Sequence, residues 1–282
     1  MYGAILGDMI GSPYEFKKGS KRKDFPFFDI GARFTDDTVM SIAVAEALMN
    51  ARSTGVIDDE AATKEITVDM MHKWGSRYPH AGYGGRFRDW LRNGEREPYN
   101  SWGNGSAMRV SAAGWMFEDI GTTRRMARWT AEVTHNHPEG IKGAEAVASA
   151  IYLARNSAGK DSAGKDGDVK AGSSKDDIRT YIETEFGYDL SRSVEEIKWD
   201  YDFDVSCQGN VPQAIRAFID GEDFEDVIRT AISLGGDTDT IGAMAGSIAE
   251  AFYGVPDQLK EECVRRLPGD LAEVLKQFEA TL

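Results

Sequence analysis

The chain has 282 residues, 41% hydrophobic and 28% charged, the make-up of an ordinary globular protein able to bury a sizeable core. Its net charge of -14 speaks against general nucleic-acid binding, which needs clustered Lys and Arg for phosphate contacts. No apolar run approaches the ~20 residues of a membrane span, and two cysteines, Cys207 and Cys263, build no disulfide framework, so a reducing cytoplasm is the expected compartment.

Strict period-two alternation is hard to find, whereas helical spacing and runs of small residues recur, so an all-α fold is expected. Residues 2–11 (YGAILGDMIG) predict a buried helix, Gly-rich where neighbours must come close. This opening stretch lacks a basic n-region and carries Asp8, which argues against a signal peptide. Ser12-Pro13 breaks the helix, and Glu15 follows in an apolar setting, where a surface position is the commoner outcome for Glu. Residues 17–24 (KKGSKRKD) predict a solvated basic loop. Phe34-Thr35-Asp36-Asp37-Thr38 then opens an apolar run, VMSIAVAEALMNA, that suits a buried helix.

A helix is predicted over 59–75, then a Gly-rich loop, 78–85, which is either a simple turn or a segment whose aromatic faces could stack on a base, then a short helix over 87–91. The stretch Ser101 to Arg109 (SWGNGSAMR) is a Gly-rich turn at a helix start. Backbone N–H groups there, with Ser106 and Arg109 beside them, suit an anion such as a diphosphate, although neither a P-loop nor GxGxxG is present. His135 and His137 precede a helix over 139–155. Zinc is disfavoured, because no Cys or third His lies at suitable spacing and HExxH is absent. Residues 156–175 repeat SAGKD and hold almost no apolar side chain, which predicts a flexible surface insertion. A helix over 176–186 and an irregular aromatic stretch over 188–204 follow. Gly209-Asn210-Val211-Pro212 then starts a helix with Pro near its first turn, and helices over 223–234, 240–253, 257–266 and 270–280 complete the chain.

The chemistry concentrates in Gly235-Gly236-Asp237-Thr238-Asp239-Thr240, at the start of the apolar helix IGAMAGSIAEAF. Asp and Thr are good N-caps and the helix dipole favours anions there, so capping is one reading. One cap needs one side chain, however, and here consecutive hard oxygen donors sit where unpaired charge is expensive. The second cluster, Thr35-Asp36-Asp37-Thr38, repeats the arrangement with two adjacent carboxylates that repel each other, so a hard divalent cation is the more economical reading. With one cluster near each end of the chain, the fold must bring the ends together, which favours a single domain over 1–282.

These segments, GAILGDMIGSPYEF, FTDDTVMSIAVAEAL, AGYGGRFRDWL, SWGNGSAMRVSAAGW, THNHPEGIKGAEA and SLGGDTDTIGAMAGSIAEAFYG, in this order, resemble the ADP-ribosylglycohydrolase family. The resemblance implies a compact, orthogonally packed helical bundle and a magnesium-dependent hydrolase with two Mg²⁺ per site, Mn²⁺ being possible. It implies Thr35, Asp36, Asp37, Asp237, Asp239 and Thr240 as metal ligands, and a catalytic group of Glu15, Asp36, Asp37 and Asp239. Gly103, Asn104, Gly105, Ser106, Met108 and His135 would follow the diphosphate, with Tyr83 on the adenosine side. The 156–175 insertion is not part of the family pattern. The expected reaction is cleavage of the bond between ADP-ribose and an acceptor, a protein side chain such as arginine or serine, so the partner is an ADP-ribosylated protein or a small ADP-ribose conjugate. The competing readings are a hydrolase of a small ADP-ribose conjugate or nucleoside ribosyl bond and a non-catalytic, crystallin-like binding protein. A monomer without membrane partners is expected.

Overall fold

The computed structural model describes residues 1–16, 21–157 and 173–282. Fifteen helices and no strand are present among the described residues. In chain order they are α1 (Tyr2–Gly11), α2 (Asp36–Ser53), α3 (Glu60–Arg77), α4 (Gly85–Arg92), α5 (Gly105–Met108), α6 (Ser111–Met116), α7 (Ile120–Glu132), α8 (Pro138–Arg155), α9 (Lys175–Phe186), α10 (Val194–Ile197), α11 (Cys207–Asp220), α12 (Phe224–Ser233), α13 (Thr238–Tyr253), α14 (Asp257–Arg266) and α15 (Gly269–Glu279). The all-α expectation therefore holds. No helix among them is long and apolar enough to cross a membrane.

The fold is centred on α13, which is buried from Thr238 to Ala251 and packs against α1, α8, α11 and α12. Its closest partner is α1, and small residues explain why. A Cβ built on Gly3 or Gly7 would lie 2.0 Å from the carbonyl oxygen of Gly246 or Gly242, and one on Gly11 would lie 2.3 Å from that of Thr238. The pairing of 3 with 246, 7 with 242 and 11 with 238 makes the helices antiparallel, with their backbones in contact. Glu250 then accepts from the free N–H groups of Tyr2 (3.1 Å) and Gly3 (2.8 Å), satisfying the start of α1. At the opposite end of the pair, the last turn of α1 meets the first turn of α13. The start of α2 is brought to the same place, and α15 packs on α2, so the ends of the chain do meet.

Several local expectations change. The sequence reading does not include α7, whose buried face carries Thr123 and Thr130 among Met126, Ala127 and Trp129, which dilutes the apolar period. Helix α11 begins at Cys207, capped by Ser206 accepting from Gly209 N (3.0 Å), so Pro212 stands in its second turn rather than its first. The run after Gly103 is interrupted at Arg109 and Val110 into α5 and α6. The basic loop over 17–24 and the insertion over 156–175 fall largely on residues 17–20 and 158–172, outside the described residues.

Candidate active site

The first acidic cluster is organised by a carboxylate in the last turns of α1. Asp8 is fully buried and accepts from Thr35 N (2.8 Å), Thr35 Oγ1 (2.7 Å), Thr38 N (3.1 Å) and Thr38 Oγ1. It thereby holds the start of α2 against α1. Thr35 is the N-cap of α2, its hydroxyl accepting from Asp37 N, so the capping reading is correct for this residue. It does not account for the carboxylates. Asp37 Oδ2 accepts from Thr35 Oγ1 and Thr240 Oγ1, each at 3.3 Å, while its buried Oδ1 has no partner. Asp36 is partly open to the adjoining cavity.

The second cluster is aimed by a glycine turn. Gly235 and Gly236 have φ of +70° and +77°, the left-handed region that L side chains rarely adopt, and they turn the chain into α13. Asp237 occupies the N-cap position but makes no side-chain cap bond. Its Oδ2 instead accepts from Asn104 Nδ2 (2.6 Å) and Asn210 Nδ2 (3.3 Å). Asp239 Oδ1 accepts from Thr240 N (2.9 Å). The close packing of α1 on α13 makes the two clusters one. Carboxylate oxygens of Asp8, Asp37 and Asp239 lie within 4.8 Å of one another, as do those of Glu15, Asp237 and Asp239.

Gathering so many acids raises their proton affinity. Burial, then the charge of Asp239, pushes the Asp8 carboxyl up to about 7, against the lowering effect of the threonine donors. The same two causes push Glu15 up to about 7, with Arg33 opposing, and hold Asp36, Asp37 and Asp237 well above the usual carboxylate range. Burial also raises Asp239. An unpartnered buried carboxylate oxygen, two nearby hydroxyls and a crowd of like charges are met by a cation that prefers hard oxygen ligands, so the residues fit Mg²⁺ or Mn²⁺.

The clusters form one wall of a cavity of about 560 Å³, a size typical of small-molecule sites. Glu15, Thr35, Asp36, Asp37, Asp237, Asp239 and Thr240 all line it, as do Gly103, Asn104, Gly105, Met108 and His135. Two sequence-predicted residues stand behind the wall. Ser106 is buried and donates to Gly140 O (2.7 Å), and Tyr83 is buried against Phe87 (ring centroids 5.6 Å apart), its flanking Gly82 and Gly84 reaching the cavity instead. The glycine-rich turn also spends two of its N–H groups internally, Asn104 N on Val205 O (2.8 Å) and Gly103 N on Ser101 Oγ (3.2 Å). His135 is held neutral by burial and by Arg109. Arg109 Nη2 donates to Thr134 Oγ1 (2.8 Å), and that hydroxyl is hydrogen-bonded to His135 Nδ1 (2.7 Å), which leaves Nε2 facing Gly105.

The sequence reading missed Asp8, Asn210, Arg33, Phe16, Phe203 and Val205 as parts of the site or its support. Asp8 left a usable signal, a charged residue inside an otherwise apolar helix. Arg33, Phe16, Phe203 and Val205 did not, because they reach the cavity from segments without periodicity, and Asn210 did not, because it stands in α11 behind the wall and acts on Asp237. A second cavity, of about 240 Å³, lies between Arg52, Phe117 and Arg155. Both guanidinium groups there donate to backbone carbonyls of residues 115–117, and only the buried Nε of Arg155 is left without a partner among its nitrogens.

An all-α bundle with a polycarboxylate centre at the wall of a cavity of about 560 Å³ defines the class: a helical scaffold whose acidic cluster could hold a metal ion. The family follows from comparison. A sequence profile described as ADP-ribosylglycohydrolase matches residues 1–281, and the chain belongs to the ADP-ribosylglycohydrolase family of enzymes. It is 29% identical to ADP-ribosylhydrolase ARH3 of Homo sapiens, over 93% of this chain and 87% of that protein. It is 24% identical to ADP-ribosylarginine hydrolase Tri1 of Pseudomonas putida, over 90% of this chain and 70% of that one. A solved structure titled ADP-ribosylglycohydrolase-related protein complex shares the fold, with a TM-score of 0.66 and 24% identity over 99% of this chain and 95% of its own.

Proposed function

We propose that this enzyme hydrolyses the bond between ribose C1 of ADP-ribose and an acceptor, a protein side chain or a small conjugate, in a reaction that depends on two divalent cations. The observation that carries the proposal is the buried Asp37 Oδ1, without a partner, among the carboxylates of Asp8, Asp36, Asp237 and Asp239 at the cavity wall. Thr35, Asp36, Asp37, Asp237, Asp239 and Thr240 would hold Mg²⁺ or Mn²⁺. Bound there, the ions would supply Lewis acidity toward the ribose hydroxyls and toward water.

The chain's own groups do the rest. C1 gains positive charge as its bond to the acceptor breaks, and carboxylates close to the sugar stabilise that oxocarbenium-like state. Glu15 is half-buried in the cavity wall, more open than Asp37, and it is the carboxyl best placed to exchange a proton with the substrate. The diphosphate would lie along Gly103 to Gly105 and Met108, within reach of the His135 ring and the buried Arg109, while Ser106 and Tyr83 support the wall from behind. A single chain supplies the whole cavity, so a monomer suffices. The two buried free cysteines suit a reducing, cytoplasmic setting.

Release of free ADP-ribose from arginine-linked, serine-linked and small-molecule conjugates, each with Mg²⁺, Mn²⁺ or chelator, tests the reading. Chelator-sensitive release from one linkage supports it and identifies the acceptor class. A folded protein that binds the cations and releases nothing from any conjugate would overturn the hydrolytic reading in favour of a binding protein.

A further inference from the structure

We propose that Asn210 is a positioning residue that ties the loop at the cavity mouth to the carboxylate of Asp237, so that one amide sets both the centre and its rim. The inference rests on Asp237 being a cation ligand.

Asn210 is fully buried in α11, and every polar atom of its side chain is used. Nδ2 donates to Asp204 O (2.7 Å) and to Asp237 Oδ2 (3.3 Å), and Oδ1 accepts from the Tyr201 hydroxyl. A flipped amide would set its oxygen against two acceptors, so the hydrogen bonds fix the orientation. Asparagine is a poor helix former and a buried amide is costly without partners, so packing alone gives this position no reason to be polar.

The choice of group is informative. Asp237 Oδ2 already accepts from Asn104 Nδ2 at 2.6 Å, and Asn210 adds a second amide from another element. Two donors on one oxygen fix the rotation of the carboxylate relative to Glu15 and Asp239, the partners with which it shares the 4.8 Å cluster. A lysine or arginine would hold Asp237 as firmly and neutralise it. Amides orient the carboxylate and leave its charge for a cation.

The other side of Asn210 faces the mouth. Tyr201 and Asp204 flank Phe203, whose ring centroid lies 4.8 Å from that of Phe16, the residue after Glu15, and both rings line the cavity. Lys21 Nζ also donates to Tyr201 O (3.0 Å), pinning the same loop. A path from Glu15 through Phe16, Phe203, Asp204 and Asn210 to Asp237 thus runs around the centre, and the loop cannot shift without disturbing the carboxylate.

Titration of the intact protein with Mn²⁺, followed by calorimetry and by electron paramagnetic resonance of the free ion, tests this with the wild type, Asn210→Ala and Tyr201→Phe. Outer partners of metal ligands typically change affinity about 10- to 100-fold, so Asn210→Ala is expected to weaken Mn²⁺ binding by that factor. Tyr201→Phe frees only Oδ1, so a few-fold loss is expected, with the thermal midpoint in chelator close to that of the wild type. Mn²⁺ is also expected to protect the 198–206 loop from proteolysis in the wild type and not in Asn210→Ala. Should Asn210→Ala fail to fold, Tyr201→Phe carries the test. Wild-type Mn²⁺ affinity and loop protection in the folded variants overturn this role for Asn210 alone, whereas a wild type that binds no Mn²⁺ overturns the cation reading as well.

Discussion

The two acidic clusters reach the same cavity by opposite constructions. At the start of α2 the support is another carboxylate: Asp8, fully buried, gathers two backbone N–H groups and two threonine hydroxyls. At the start of α13 the support is neutral: two asparagine amides hold Asp237 Oδ2, and a left-handed glycine pair directs the helix. The α2 side is therefore part of the core, where fold and chemistry share the same hydrogen bonds. The α13 side is tied to a loop at the mouth, where the two are separable. Substitutions should divide accordingly.

Asp37→Asn is expected to have the largest effect. It removes one of the charges that a cation would meet at the unpartnered oxygen, and a loss of about 3–4 kcal/mol of transition-state stabilisation corresponds to roughly 10²- to 10³-fold in kcat/KM. The same change removes a buried like charge, so the thermal midpoint in chelator should rise. Release assays and thermal melts on one preparation check both, and near-wild-type activity would remove Asp37 from the centre.

Asp8→Asn comes next. The new amide would point donors at the donors of Thr35 and Thr38, leaving buried groups unsatisfied at about 1–3 kcal/mol each. Urea unfolding should show a loss of about 3 kcal/mol together with a fall in activity. Unchanged stability would mean that α2 is held by its apolar face alone and that the contrast between the clusters is misdrawn.

What the sequence disclosed follows the same division. Long buried helices such as α2 and α13 were legible because their small and apolar runs leave no alternative to burial, and the oxygen-rich starts of both marked the site. The turn at Gly235-Gly236 was also readable, since consecutive glycines before a helix signal an unusual backbone. Asp8 was visible as a residue, but its role depends on α1 lying against α2, which spacing does not reveal. Asn210, Phe16 and Phe203 were unreadable for a different reason: each acts on a partner remote in sequence, and a polar residue near a helix start or an aromatic residue in a loop has many ordinary explanations. Ser106 shows the converse. Its motif was recognised, yet the hydroxyl is used on Gly140 O, because the turn pairs with Val205 to Cys207 and directs that side chain inward.

Gly7→Ala probes the element that joins the clusters. The added Cβ would lie 2.0 Å from Gly242 O, a backbone atom that cannot turn aside, so α1 must move off α13. Overpacking of this kind typically destabilises by about 1–3 kcal/mol. Because Asp8 and Glu15 move with α1, Mn²⁺ affinity should fall even in molecules that remain folded. Loss of stability with intact affinity would show that the two sides are positioned independently.

The smallest expected effect separates the clusters by their protons. Asp8 and Glu15 are raised to about 7 in the folded chain, from 3.8 and 4.5, and the remaining acids move in the same direction. Between about pH 4 and pH 7 the folded state therefore binds more protons than the unfolded state, so stability without metal falls as pH rises through that window. Chelated protein should melt lower at pH 8 than at pH 5, and Mg²⁺, which competes with those protons, should stabilise more at pH 8. Asp37→Asn should flatten this slope more than Asp237→Asn. Burial and the charge of Asp239 raise both groups, and at Asp237 the Asn104 amide opposes that rise. Equal flattening would mean that the amides orient Asp237 without easing its charge, and a slope of the opposite sign would mean that the buried acids are not carrying the protons.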